Sequence, residues 1–175
     1  MDRIYGSLMV VTQVSELIRG THTLGSNRVQ TNRGITHMRM LRSYISQPQG
    51  RRPEQVFIVI KPGFEDKSTN IIRRFERSGF RITKLRTVRL TLNQARGLYK
   101  THKKESWYGQ LCKYMSSGVS VGILFEYTGD DGDAFERCSE IKSSIRDLWS
   151  ESDMRNVLHS SDNPAARDWE SSFYF

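Results

Sequence analysis

Gln55-Val56-Phe57-Ile58-Val59-Ile60-Lys61-Pro62-Gly63 is the stretch on which the fold turns. Its apolar run from Val56 to Ile60 is short and rich in β-branched residues, which predicts a buried strand. Lys61 closes that run, and Pro62 and Gly63 end the strand behind it. A lysine so placed points out of the sheet edge and suits a cation meant for phosphate, although a solvated strand-end lysine has the same signature.

Outward from this strand the pattern alternates. Residues 70–78 carry Ile71, Ile72 and Phe75 on one face and Arg73, Arg74 and Arg77 elsewhere, an amphipathic helix that Ser78-Gly79 ends. Residues 80–90 predict a strand. Residues 92–100 predict a helix after the cap-like Thr91, and residues 108–116 a second one that stops near Gly118. Residues 119–127 form a strongly apolar strand, 134–141 a helix, 156–159 a short segment and 165–175 a last helix. Strands alternating with helices imply a layered α/β or α+β domain.

Upstream, residues 1–53 differ in texture. They hold eight arginines against only Asp2 and Glu16, whereas the whole chain of 175 residues carries a net charge of +8. Most of the basic excess therefore sits in this arm, which ends in the linker-like Gln47-Pro48-Gln49-Gly50-Arg51-Arg52-Pro53. An acid-poor arm favours polyanions such as RNA or an anionic surface, and a solvated basic surface is the plain alternative. Ile35, Met38, Leu41 and Ile45 recur at helical spacing within it. Arg-rich, acid-poor character also occurs in mitochondrial transit peptides, a reading that Asp2 and Glu16 weaken. No stretch of about 18 apolar residues exists, so no transmembrane helix is expected. Cys112 and Cys138 lie far apart without a CxxC partner, which suggests free thiols in a reducing compartment, the cytoplasm.

The chemistry-bearing residues are few. His159 stands in Arg155-Asn156-Val157-Leu158-His159-Ser160-Ser161-Asp162, after two apolar residues and before small polar ones. That places it at an element end with its side chain free to face a cleft; taken alone, such a histidine is more often a hydrogen-bonding structural residue. His22, His37 and His102 lie in polar stretches and receive no role. No His or Cys pair has metal-ligand spacing, and neither GxxxxGK[ST] nor GxGxxG occurs, which excludes a P-loop.

Five segments in one order resemble the nucleoside diphosphate kinases: Ile60-Lys61-Pro62, then Ile71-Ile72-Arg73-Arg74-Phe75-Glu76-Arg77-Ser78-Gly79-Phe80, then Tyr114-Met115-Ser116-Ser117-Gly118, then Ser144-Ile145-Arg146, then Arg155 to Asp162. The last contains a signature of the type Asn-x-x-His-x-Ser-Asp in Asn156, His159, Ser161 and Asp162. The resemblance covers residues 54–175 and implies an α+β, ferredoxin-like βαββαβ sandwich, an antiparallel sheet with helices packed on it, behind an N-terminal extension of residues 1–53.

The resemblance also implies an activity: transfer of the terminal phosphoryl group from a nucleoside triphosphate such as ATP or GTP to a nucleoside diphosphate, by a ping-pong mechanism through a phosphohistidine. By that resemblance His159 carries the phosphoryl group, Glu170 orients its imidazole and Ser161 supports Glu170. Lys61 and Arg146 meet phosphates, Asn156 the ribose, and Tyr99 lies near the histidine. Trp107 stacks on the base with Leu111 behind it, and a stacking aromatic is tolerant of base identity. On the residues alone, Tyr99, Trp107 and Leu111 read as core, and Glu170 as a solvated helix residue. Magnesium is implied on the nucleotide phosphates rather than in a protein cage.

Departures from the family are local. The segment between Glu126 and Arg146 is short, and Thr128-Gly129-Asp130-Asp131-Gly132-Asp133 replaces the usual proline-containing loop. Arg137 is the best match there for a second phosphate-binding arginine. That loop normally makes subunit contacts, so a homo-oligomer of dimer size or above is implied, with the familiar hexamer in doubt. Ser160 replaces the usual glycine after the histidine. Two rival readings follow: an inactive nucleotide-binding or scaffold protein, and a polyanion-binding protein that acts through its arm.

Overall fold

The computed structural model describes residues 53–129 and 133–175. The basic arm, the helical spacing at residues 35–45 and the loop residues 130–132 lie outside them. Among the described residues the elements run β1 (Gln55–Ile60), α1 (Ser68–Arg77), β2 (Phe80–Val88), α2 (Leu92–Leu98), α3 (Tyr108–Ser117), β3 (Ser120–Tyr127), α4 (Ala134–Trp149), β4 (Leu158–Ser160) and α5 (Pro164–Ser171), with 3-10 turns at Glu65–Lys67 and Lys100–His102. No helix among them is long and apolar enough to cross a membrane.

β1 is unbroken in its apolarity because both its faces are covered. Side chains alternate along a strand. Val56, Ile58 and Ile60 therefore enter one core with Ile71, Ile72 and Phe75 of α1 and Cys138, Ile141 and Ile145 of α4. Phe57 and Val59 enter a second core with Ala95 and Leu98 of α2 and Leu111, Cys112 and Met115 of α3. The sheet order is β2-β3-β1-β4, with every neighbour antiparallel. This is the expected ferredoxin-like α+β sandwich, with α2 and α3 inserted between β2 and β3.

Local chemistry sets the helix starts. Thr91 and Gln94 form a capping box, each side chain bonding the other's backbone N–H. Asp133 accepts from the Phe135 and Glu136 amides, and Asn163 from that of Ala166, with Pro164 following. Gly79 ends α1 at φ +85°, a conformation open to glycine.

Three bounds differ in substance from those expected. α4 runs to Trp149 rather than to residue 141: Lys142, Ser143 and Ser144 interrupt apolarity, but Cys138, Ile141, Ile145 and Trp149 keep the spacing of one helical face. The second helix stops at Leu98 and tightens into the Lys100–His102 turn. α5 stops at Ser171, because Tyr174 turns beneath the sheet, 1 % exposed, with its hydroxyl 2.7 Å from Ser120 Oγ. Gly122 admits that ring: a Cβ there would lie 2.4 Å from Tyr174 Cδ1.

Candidate active site

β4 brings the site together. Its register pairs His159 with Val59, so the imidazole lies on the same sheet face as Val59. Lys61, two residues beyond Val59, keeps that parity, and its backbone N–H donates to the Val157 carbonyl at 2.8 Å. Entry into β4 is strained. Val157 has φ +67° and is fully buried, and Leu158 N–H donates across it to the Asn156 carbonyl at 2.8 Å. A β-branched residue in this region costs on the order of 1–3 kcal/mol, which the surrounding structure must hold in place.

His159 is held from the far side of its ring. Nε2 lies 2.7 Å from Glu170 Oε2, and the Ser161 hydroxyl donates to the same oxygen at 2.5 Å. Burial alone raises the Glu170 pKa, but these bonds and the nearby imidazoles outweigh it and hold the carboxyl below its ordinary value. An ionised carboxylate only accepts, so Nε2 carries a proton and Nδ1 is the ring nitrogen left without a partner.

A cavity of about 480 Å³ opens beside this ring, lined by Lys61, Tyr99, His102, Trp107, Leu111, Arg146, Asp153, Met154, Asn156 and His159. Lys61 is 4 % exposed, and its ammonium donates to Asn156 Oδ1 at 2.6 Å and to the Met154 carbonyl at 3.0 Å. Burial, with Arg146 nearby, lowers its pKa to about 7. Asn156 Nδ2 in turn donates to the Asp153 carbonyl at 2.6 Å. Arg146 caps β4, with Nε and Nη2 donating to the Leu158 carbonyl at 3.1 and 2.8 Å. The Tyr99 ring stands edge-on to His159, centroids 5.4 Å apart, and its buried hydroxyl has no hydrogen-bond partner among the described residues. Burial pushes that phenol well above its ordinary pKa, so it stays a donor. Trp107 is 40 % exposed at the mouth, with Leu111 buried behind it.

Lys61, Tyr99, Trp107, Leu111, Arg146, Asn156 and His159 thus meet in one cavity, and Ser161 and Glu170 support it from behind. Arg137 does not join them. It lies nine residues from Arg146 in α4, which at 3.6 residues per turn puts it on the opposite side of the helix. There it pairs with Glu140 at 3.0 Å and borders a separate hollow with Arg74 and Arg77. The structure therefore does not bring Arg137, expected as a second phosphate-binding arginine, into the cavity that Arg146 lines. Three cavity residues carried no sequence expectation: His102, Asp153 and Met154. His102 falls three residues after Tyr99 in a 3-10 turn, where i and i+3 share a face, and its ring lies 5.1 Å from that of Trp107.

A half-exposed aromatic, a buried lysine, a half-buried arginine and an imidazole with one unpartnered ring nitrogen give the site the chemistry to accommodate a base and phosphates. Its carboxylates are Asp153 and Glu170, and Glu170 is engaged by His159 and Ser161. Such a donor set fits a magnesium ion that arrives on nucleotide phosphates.

Comparison with known proteins agrees. The family model for nucleoside diphosphate kinase matches residues 54–175. The nucleoside diphosphate kinase of Chlorobaculum tepidum is 32 % identical over 133 residues, covering 70 % of this chain and 93 % of that one. The enzyme of Citrifermentans bemidjiense is 28 % identical over 130 residues, covering 70 % and 95 %. The crystal structure of the Aquifex aeolicus nucleoside diphosphate kinase superposes with a TM-score of 0.63 at 28 % identity, covering 71 % of this chain and 96 % of that one. The chain belongs to the nucleoside diphosphate kinase family of phosphotransferases.

Proposed function

We propose that His159 carries the phosphoryl group in a ping-pong exchange between nucleoside triphosphates and diphosphates. The observation that carries this reading is the Ser161–Glu170–His159 chain, which fixes the Nε2 proton and aims Nδ1 at the cavity that Lys61 and Arg146 line. In the first half-reaction, Nδ1 forms a bond to the terminal phosphorus as the bond to the bridging oxygen breaks, and the electron pair leaves on the diphosphate. In the second, an oxygen of another diphosphate attacks that phosphorus and the imidazole is restored. Nε2 keeps its proton throughout, and Glu170 balances the positive charge on the phosphorylated ring.

Lys61, Arg146 and the Tyr99 hydroxyl stabilise the charge spread over the moving phosphoryl oxygens. Asn156, held by Lys61, meets the ribose hydroxyls. Trp107 stacks on the base, with Leu111 supporting it, and broad base tolerance follows from the use of a π-face. Magnesium, when bound on the nucleotide phosphates, neutralises part of their charge.

The organisation we favour is a kinase domain at residues 54–175 behind a basic extension of residues 1–53, acting in the cytoplasm as a homo-oligomer. The test is incubation with labelled ATP. Wild type should take up an acid-labile, base-stable label that His159→Ala abolishes. A wild type that binds ATP but takes up no label would instead support the inactive nucleotide-binding reading.

A further inference from the structure

α1 and α4 lie side by side on the sheet face remote from His159, and a hollow of about 430 Å³ runs between them, lined mainly by Arg74, Arg77, Arg137, Glu140, Ile141 and Ser144. Three guanidinium groups face one carboxylate there. None of the three is committed to a strong partner. Arg74 donates to Ser144 Oγ at 3.3 Å and lies over the Trp149 ring at 5.7 Å. Arg137 meets Glu140 at 3.0 Å in a pair whose side chains are 50 % and 60 % exposed. An exposed pair of this kind contributes little to stability, so a phosphate displaces Glu140 readily. The Arg77 guanidinium has no hydrogen bond or ion pair among the described residues. Nothing in the kinase site uses these groups.

We propose that this hollow binds the phosphodiester backbone of single-stranded nucleic acid. Guanidinium forks match phosphate oxygens, and three of them spread over two helices suit successive phosphates better than a single one. The second observation is where the basic arm leaves the domain. Glu54 accepts from the Ala134 amide at 3.2 Å, and its carbonyl accepts from the Tyr127 amide at 2.8 Å, so residue 54 is tied to the start of α4. Arg137 lies one turn further along that helix. Residues 1–53, which hold eight arginines, precede this point in the sequence. An arm and a hollow of one sign, joined at this point, fit a long polyanion. A membrane surface fits less well, because Ile141 is the one apolar side chain of the lining, and such surfaces are held by apolar anchors.

The test is fluorescence anisotropy of the full chain with a labelled oligouridylate of about 20 nucleotides, longer than a single-module site, over a series of salt concentrations. Arg74→Gln/Arg77→Gln should weaken binding by tenfold or more at low salt and lower the slope of log K against log salt by about 1.4, at ~0.7 for each phosphate no longer neutralised. Phosphotransfer should be unchanged in the same sample, which also reports on folding. Glu140→Gln, which removes the competing carboxylate, should tighten binding several-fold. Affinity and slope unchanged in both variants would overturn the proposal. So would displacement of the oligonucleotide by tripolyphosphate at equal phosphate concentration, or equally tight binding to phosphatidylserine vesicles that the same substitutions weaken.

Discussion

Replacing Lys61 with methionine should stabilise the fold while it disables the enzyme. Lys61 is 4 % exposed, and burial with Arg146 nearby brings its pKa from 10.5 to about 7. A lysine free in the unfolded chain binds its proton far more tightly, so between pH 7 and 10.5 the unfolded state holds more protons. Stability from this group therefore rises with pH across that window, and the burial penalty is full below about pH 7. At 1.36 kcal/mol per pKa unit the penalty near pH 7 is about 4 kcal/mol. Methionine removes it but leaves Asn156 Oδ1 and the Met154 carbonyl without their donor, at about 1 kcal/mol each in this partly open cavity. The net gain is about 2 kcal/mol, or several degrees in Tm for a domain of this size. Thermal melts of both proteins at pH 6, 7, 8 and 9 check this. The advantage of Lys61→Met should shrink steadily as pH rises, and kcat/KM should fall on the order of 10²–10³-fold. A variant destabilised equally at every pH would refute the account of a buried, strained cation.

Other substitutions separate the remaining roles. Glu170→Gln should slow phosphoenzyme formation about 10–100-fold in single-turnover experiments while leaving nucleotide affinity near wild type; Ser161→Ala should do the same more weakly. Trp107→Ala should raise KM for purine and pyrimidine diphosphates in the same direction, by about 1–3 kcal/mol of stacking, and Trp107→Phe should restore it; a fall confined to kcat would contradict a base platform. Gly122→Ala places a Cβ 2.4 Å from Tyr174 Cδ1 and should cost about 1–3 kcal/mol in thermal unfolding, because the ring cannot retreat without losing Ser120.

Much of the fold was legible because β1 and α1 carry strong periodic patterns, and because Thr91 stands where a helix cap is needed. α4 was read at half its length, since three polar residues hid a spacing that Ile145 and Trp149 continue. Arg137 misled for a related reason. It is the best family match in a shortened segment, and such a match says nothing of helix face until the helix is known to run unbroken to Arg146. His159, Lys61 and Asn156 were legible as a set through linked motifs, whereas His102 was not, because a tight turn places it beside Trp107. The positive φ of Val157 had no signal, since valine is among the residues least expected there.

The central claim is that one imidazole passes the phosphoryl group between two nucleotides. The most direct measurement is a chase: label the protein with the terminal phosphate of ATP, remove all nucleotide, then add an unlabelled diphosphate of a different base. Label should leave His159 and reach the new triphosphate, one for one, within a single turnover. Label that stays on the protein, or transfer that occurs only when both nucleotides are present together, would contradict the claim.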